Sequence, residues 1–362
     1  MTAALIVRDE ERHLGACLES LREVVDDIVV VDTGSTDASI EIAHGHGARV
    51  DRIDWPDDFA AARNHALDLV DTDWVLYIDA DERVRPIPRD VLHREIGGRR
   101  TVGATVDLHP RTGHTAYREL RLFRSDPRLR FRGIIHETIW PAVHEVMARD
   151  LMRVRPSSLV IDHIGYDGPQ DHKHPRNLPL LRRALAQDPD HVYCWYHLGA
   201  TLRATGDAAG ARDAWLAGID VLRRRGPTRP ADSLAFIELI QADVADSHDV
   251  TELMIEARTM FPRDPVLRWT EARIAMIQGR HDEAIAGFTA LTEAAGRGDL
   301  TEDLGYQSSL FGATTFAMIA TCHFEQGDHR AAADFFARAE SAEPDNVEYR
   351  TRRVLSEHLA SR

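Results

Sequence analysis

Lysine is almost missing from this chain. Of 44 basic residues all but Lys173 are arginine, and with the abundant alanine this fits codon bias in a GC-rich genome. Cysteine is scarce as well. Cys17, Cys194 and Cys322 lie far apart, each in an apolar helical pattern, which excludes a disulfide framework or a local zinc site and predicts buried, reduced thiols. No apolar run approaches the roughly 20 residues that cross a bilayer. The first residues, MTAALIVRDEE, lack the basic segment and long apolar core of a secretory leader. The expectation is a cytoplasmic protein. Glycine-rich phosphate loops are absent too. Neither GxGxxG nor GxxxxGK[ST] occurs, so there is no dinucleotide fingerprint and no P-loop. The net charge of −15 argues against general affinity for nucleic acid or anionic membrane.

What is present is a globular composition, 43% hydrophobic and 28% charged, in 362 residues. That length suits two domains. Residues 1 to about 100 alternate short apolar runs with helical patterns. ALIV at 4–7 reads as a strand, Glu11 to Val25 as an amphipathic helix, and DIVVVD as a buried strand. The unbroken β-branched run suits a parallel sheet covered on both faces. Ser35–Thr36–Asp37 caps a helix to about His46, Asp58 to Val70 is a further helix, and DWVLYIDADE is a third strand ending in carboxylates. This is βαβαβ, the start of a doubly wound α/β domain. TVGATVDL, AYRELRLFR, LRFRG and SLVIDHIGY read as later strands, which makes the sheet mixed.

After Gly168 the strand signals stop. Trp195, Leu198, Gly199, Gly206, Ala211 and Trp215 match the tetratricopeptide spacing. The pattern recurs at Ala272, Gly279, Ala284 and Phe288, and again from Phe316 to Pro344. Residues 226–265 and 296–310 are irregular, with room for a divergent helix pair and a loop. The predicted organisation is an α/β domain over 1–167 and an all-α, tetratricopeptide-like array over 168–362. Such an array offers a concave face, to an acceptor polypeptide or to a second copy of the chain, or it caps its neighbour.

In open α/β sheets ligands sit at the carboxyl ends of strands. Those ends carry Arg8–Asp9–Glu10, Asp32–Thr33–Gly34–Ser35 and Asp79–Ala80–Asp81–Glu82. Two carboxylates one residue apart after a buried strand offer oxygen ligands to Mg²⁺ or Mn²⁺. Asp32 reads either as a hydrogen-bonding group for a base or ribose or, with Asp37, as a cap for the next helix. Arg63 and Asn64 sit in a helix whose apolar face is Phe59, Ala62, Ala66 and Leu67. From Arg99 to Arg132 nine arginines face only Asp107, Glu119 and Asp126. They either protect strand edges or line an anion site, with Arg121 and Arg124 the best placed.

The segments IVRDEERHLGACLESL, IVVVDTGSTDAS, WPDDFAAARNHAL and DWVLYIDADERV occur in order, and together they resemble an inverting family 2 glycosyltransferase of GT-A fold. RELRLFRSDPRLRFRGIIHETI and VIDHIGY resemble the acceptor half of bacterial members that carry tetratricopeptide repeats. Arg8–Asp9 departs from the Lys-Asn common in those members. The resemblance implies a nucleoside-diphosphate sugar donor, UDP first. It also implies a peptide, protein or small-molecule acceptor, and a helical domain able to form a homodimer. Asp32 would recognise the base. Arg8, Asp9, Gly34, Ser35, Arg63, Asp79 and Arg121 would surround the donor. Asp79, Asp81 and His163 would hold the metal, His163 reading alternatively as a structural histidine beside a turn. Glu137 would be the catalytic base, with His136 its rival and helix capping the plainer role for Glu137. Two other classes compete. One is an interaction protein whose α/β half is a relic. The other is a nucleotidyltransferase, which usually needs a glycine-rich loop after the first strand, where VRDEERHL has none.

Overall fold

The structure, a computed structural model, describes residues 1–110, 113–165, 173–299 and 304–362. Two compact units form. One comprises Met1–Thr112 with Ala116–Pro189, the other Gly113–Thr115 with Asp190–Arg362. The division expected at residue 167, and Tyr166, fall outside the described residues.

The first unit runs β1 (Thr2–Val7), α1 (Leu14–Leu21), β2 (Asp27–Asp32), α2 (Ser39–Gly45), β3 (Arg49–Arg52), α3 (Phe59–Asp68), β4 (Trp74–Tyr77), β5 (Glu82–Val84), α4 (Arg89–Ile96), β6 (Thr101–Pro110), β7 (Tyr117–Arg124), α5 (Trp140–Asp150), β8 (Arg153–His163) and α6 (Lys173–Gln187). The eight strands lie in the order β3-β2-β1-β4-β7-β6-β8-β5. β3, β2, β1 and β4 are mutually parallel, whereas β7 is antiparallel to β4 and to β6. The sheet is therefore mixed, as the sequence implied, and the domain is α/β.

Alternation along β2 explains its unbroken apolar run. Val29 and Val31 pack with α3 and α5 residues such as Ala66, Leu67, Val143 and Val146. Val30 points to the other face, among Leu14, Leu18 and Leu21 of α1. All three valines are at most 1% exposed. A strand covered on both faces has no reason to carry a polar residue until its end.

Two expectations change. LRFRG forms no strand. The chain from Ser125 to Ile139 turns instead, closed by an isolated bridge between Arg132 and Thr138. Gly133, at φ +104°, and His136, at φ +55°, break extended geometry there. Asp37 does not cap at the first turn of α2. It accepts from Ser39 N at 3.0 Å and Ser39 Oγ at 2.6 Å, one residue too early for the helix proper. Helix α6 falls in the same compact unit as the sheet. Leu180 and Leu181 of this helix are buried, and Arg176 stacks over Phe59 at 5.3 Å.

The second unit contains α7 (Val192–Ala204), α8 (Ala208–Arg225), α9 (Leu234–Ala245), α10 (Thr251–Met260), α11 (Pro265–Ile277), α12 (His281–Gly296), α13 (Ala313–Glu325), α14 (His329–Ala342) and α15 (Val347–Ala360). Gly206, Gly279 and Gly327 turn the three expected hairpins at φ +91°, +74° and +81°. Asp207 and Asp328 then cap the second helices, accepting from Gly210 N and Ala331 N. In the first hairpin a small residue admits a large one. A Cβ on Gly199 would lie 2.2 Å from Trp215 Nε1. The irregular stretch 226–265 holds the helix pair α9 and α10.

Candidate functional site

β1 neighbours β2 on one side and β4 on the other, so the chain leaves β1 in opposite directions. A crevice opens where connections diverge at strand ends. Here it is a cavity of about 520 Å³. Arg8, Asp79, Asp81, Arg63, Arg121, His136, Glu137 and His163 all line it. Asp9, Asp32, Gly34 and Ser35 are not among the lining residues.

The reason is visible in the loop after β2. Asp32 is 0% exposed and its carboxylate accepts from Gly34 N at 3.0 Å and Ser35 N at 3.1 Å. Asp9, at φ +55°, accepts from Thr36 N at 2.7 Å, while its own N–H donates to Ser35 Oγ at 2.9 Å. These residues tie two strand-end loops together. Of the residues in these two loops, Arg8, Glu10 and Thr33 line the cavity.

The centre of the site is a buried ionic network. Arg63 Nε donates to Glu137 Oε1 at 2.5 Å and Nη2 to Asp79 Oδ1 at 2.9 Å. Arg121 Nη2 donates to Glu82 Oε1 at 2.8 Å, and Nε to Glu119 Oε2 at 3.2 Å. Arg121 Nη1 has no hydrogen-bond partner but lies 3.6 Å from Asp79 Oδ2. Glu82 Oε2 accepts the backbone N–H of Asp79 at 2.8 Å. Tyr77 lies between the two guanidiniums, 5.0 Å from Arg63 and 4.4 Å from Arg121. Burial opposes the Arg63 charge, yet Asp79 and Glu137 hold the guanidinium more firmly protonated than usual. Burial likewise works to raise the Asp79 carboxyl, but Arg63 and Arg121 outweigh it and keep it well below the usual carboxylate range. Glu82 goes the other way: burial pushes its carboxyl up to about 7 despite Arg121.

Glu137 is positioned by the loop that replaced the expected strand. The Arg132–Thr138 bridge closes that loop, with N–H···O distances of 2.9 Å both ways. Asn64, next to Arg63 on α3, imitates a strand partner for Phe131. It donates to the Phe131 carbonyl at 3.0 Å and accepts from its N–H at 2.8 Å. Phe59 N donates to the Ile134 carbonyl at 2.8 Å, fixing the same loop to the start of α3.

Asp81 and His163 meet at 3.2 Å, between Asp81 Oδ2 and His163 Nε2. Burial alone would lower the His163 pKa, but its bond to Asp81 raises it overall. A Cβ on Gly165 would fall 1.6 Å from Asp81 Oδ2. The carboxylate thus fills a notch that only glycine leaves open. Among the described residues no group of three or more His, Cys, Asp or Glu is arranged around one ion position. The expected trio of Asp79, Asp81 and His163 is split, because Asp79 is engaged by two arginines. Asp81 and His163 by themselves fit a divalent cation: an oxygen and an imidazole nitrogen, close enough to be adjacent ligands, with further positions left for ligand oxygens.

Sequence reasoning missed Glu82, Glu119 and Tyr77. Glu82 lies in the DADE motif beside the Asp-x-Asp pair, and only its burial against Arg121 marks it. Arg124, the other arginine favoured in that stretch, turns away from the cavity. It donates to the Thr101 carbonyl at 2.7 Å and stacks over Trp74.

The model of the family described as "Glycosyl transferase family 2" matches residues 2–143, and a "Tetratricopeptide repeat" model matches residues 174–230. A TPR repeat-containing protein of Synechococcus elongatus is 33% identical over 60% of this chain and 55% of its own length. The SPbeta prophage-derived glycosyltransferase SunS of Bacillus subtilis is 23% identical over 56% of this chain and 49% of its own. The chain thus spans about half the length of these curated relatives. Among solved structures, S. aureus TarS 1-349 in complex with UDP-GlcNAc is similar at 15% identity. That match has a TM-score of 0.40 and covers 82% of this chain and 91% of that one. No helix among the described residues is long and apolar enough to cross a membrane. Residues 2–143, which carry most of the cavity's charged groups, are a glycosyl transferase family 2 domain, joined in one chain to a tetratricopeptide repeat.

Proposed function

We propose that the chain is an inverting glycosyltransferase that moves a sugar from a nucleoside-diphosphate donor, UDP first, to a peptide, protein or small-molecule acceptor. The observation that carries this reading is the Arg63–Glu137 pair. It brings a carboxylate from one loop against the β4 carboxylates, 74 and 16 residues along the chain from Arg63. That is the separation of roles a single displacement needs: one acid for the acceptor and others for the donor end.

In this reading the acceptor hydroxyl or thiol gives its proton to Glu137 as it attacks the anomeric carbon. The bond from that carbon to the diphosphate oxygen breaks, and the nucleoside diphosphate leaves with the electron pair. Arg63 holds Glu137 through Oε1, so Oε2 is the oxygen left to take the proton. Arg63 also ties Glu137 to Asp79, which fixes the spacing between base and donor end. Asp81 and His163 would hold a Mg²⁺ or Mn²⁺ ion, whose chemistry when bound is to offset charge on the departing diphosphate. His136 stays a rival base. The helical domain would hold the acceptor or pair with a second copy. The names of SunS, a glycosyltransferase, and of the Rhizobium meliloti relative LpsC, a "Lipopolysaccharide core biosynthesis glycosyltransferase", support a transferase and leave the acceptor open.

The deciding experiment mixes the full chain with UDP- and GDP-sugars and Mn²⁺ or Mg²⁺ and measures the nucleoside diphosphate released. Release that depends on Glu137 and on metal is expected. No binding of any nucleotide sugar, with metal present, sinks the reading and favours the relic-domain alternative.

A further inference from the structure

The cavity carries a charge problem. Asp79, Asp81, Glu10, Glu119 and Glu137 line it, and a nucleoside diphosphate would bring two or three more negative charges into it. The two central arginines do not answer this. Arg63 is faced by Glu137 and Asp79, and Arg121 by Glu82, Glu119 and Asp79. Both are already neutralised by carboxylates. Two other guanidiniums reach the same cavity, Arg8 from the end of β1 and Arg176 from α6. Among the described residues neither makes a salt bridge. Arg176 donates to Asn177 Oδ1 at 3.1 Å and lies over the Phe59 ring at 5.3 Å. Packing strips part of its water and Arg8 repels it, and both effects lower its pKa, with Glu10 acting the other way. Two guanidiniums at one cavity, offset only by Glu10 and with no salt bridge to either among the described residues, are favoured when a further anion lies between them.

We propose that Arg8 and Arg176 form the subsite for the diphosphate of the nucleotide donor, with Phe59 as the platform that orients Arg176. This rests on the glycosyltransferase reading and deepens it. Arg176 lies beyond the residues matched by the family 2 model, so α6, assigned by pattern to the helical half, completes the donor site. Guanidinium suits this role because its planar fork of donors matches phosphate oxygens in pairs. The division of labour also follows. Arg63 and Arg121 keep the protein's own carboxylates in place, and Arg8 and Arg176 receive the ligand's charge.

The test is equilibrium binding to the full-length chain in EDTA, so that no metal contributes. The probes are UDP, GDP, uridine, inorganic pyrophosphate and inorganic phosphate. Arg8→Gln and Arg176→Gln are compared with wild type and with Arg182→Gln, an exposed change on the same helix. Each of the first two is expected to weaken UDP or GDP and pyrophosphate by on the order of tenfold, the value of one charge-assisted hydrogen-bonding group. Uridine binding and the Arg182 variant should be unchanged. Wild-type nucleoside-diphosphate binding that both variants retain overturns the proposal while sparing the parent reading. So does loss of phosphate binding with UDP affinity intact, which reassigns the pair to an anionic acceptor. A wild-type chain that binds neither UDP nor GDP, in EDTA or after excess Mn²⁺ is restored, overturns both.

Discussion

Glu82 accepts the backbone N–H of Asp79 through Oε2 at 2.8 Å and the Arg121 guanidinium through Oε1 at 2.8 Å. One fully buried carboxylate therefore sets both the strand-end backbone and the arginine beneath the cavity. Its pKa, pushed up to about 7 by burial, gives a prediction with a definite sign. The unfolded chain ionises Glu82 near 4.5, the folded protein only near 7. Its stabilising effect is complete below about 4.5 and is lost as pH rises through about 7. Glu82→Gln cannot ionise. The difference in unfolding free energy, wild type minus variant, should fall by up to about 3 kcal/mol between acid and alkaline pH. Urea unfolding of both proteins across that range reads it directly, and a flat difference contradicts it.

Glu137→Gln keeps the shape of the side chain and its contact with Arg63 but removes the basic oxygen. Donor binding should stay within about twofold, while transfer falls by at least about a hundredfold, the usual share of a general base. Normal transfer by this variant removes Glu137 from the base role and leaves His136 to be tested the same way.

Gly165 has no spare room, since a Cβ would sit 1.6 Å from Asp81 Oδ2. Gly165→Ala must move that carboxylate away from His163. Mn²⁺ binding, followed by titration calorimetry, should then weaken as it does in Asp81→Ala. Unaltered Mn²⁺ affinity in both variants would show that Asp81 and His163 hold no cation. Chelating the metal from wild type should lower donor affinity, and Asp81→Ala should make that affinity insensitive to EDTA.

In the helical unit, Gly199→Ala would drive a methyl into the rigid Trp215 ring, 2.2 Å from Nε1. The indole is 1% exposed and donates to the Tyr196 carbonyl at 3.2 Å, so it has nowhere to turn. Overpacking of this kind costs about 1–3 kcal/mol. Thermal unfolding followed by far-ultraviolet circular dichroism should show an earlier transition. Gly206→Ala also destabilises, but through strain at φ +91° rather than through a clash.

What the sequence by itself determined was whatever a short window encodes. The β-branched run of DIVVVD, the helix from Asp58, the glycine turns of the three hairpins and the Asp79–Asp81 strand end are all legible because period and turn chemistry act over a few residues. Resemblance then placed Arg63, Glu137 and His163 in one site. The tertiary structure decided which polar groups are free to act, because that depends on partners far along the chain. Asp32 and Asp9 sit at strand ends in the sequence, but the two loops close on each other there, with Asp32 and one oxygen of Asp9 accepting backbone N–H groups. Asp79 looked like a metal ligand until Arg63 and Arg121 took its carboxylate. Arg176 carries no motif in the sequence, and only the structure brings it over Phe59 and to the cavity. A charged side chain is assigned by whatever neutralises it, and in this fold that group is rarely a neighbour in sequence.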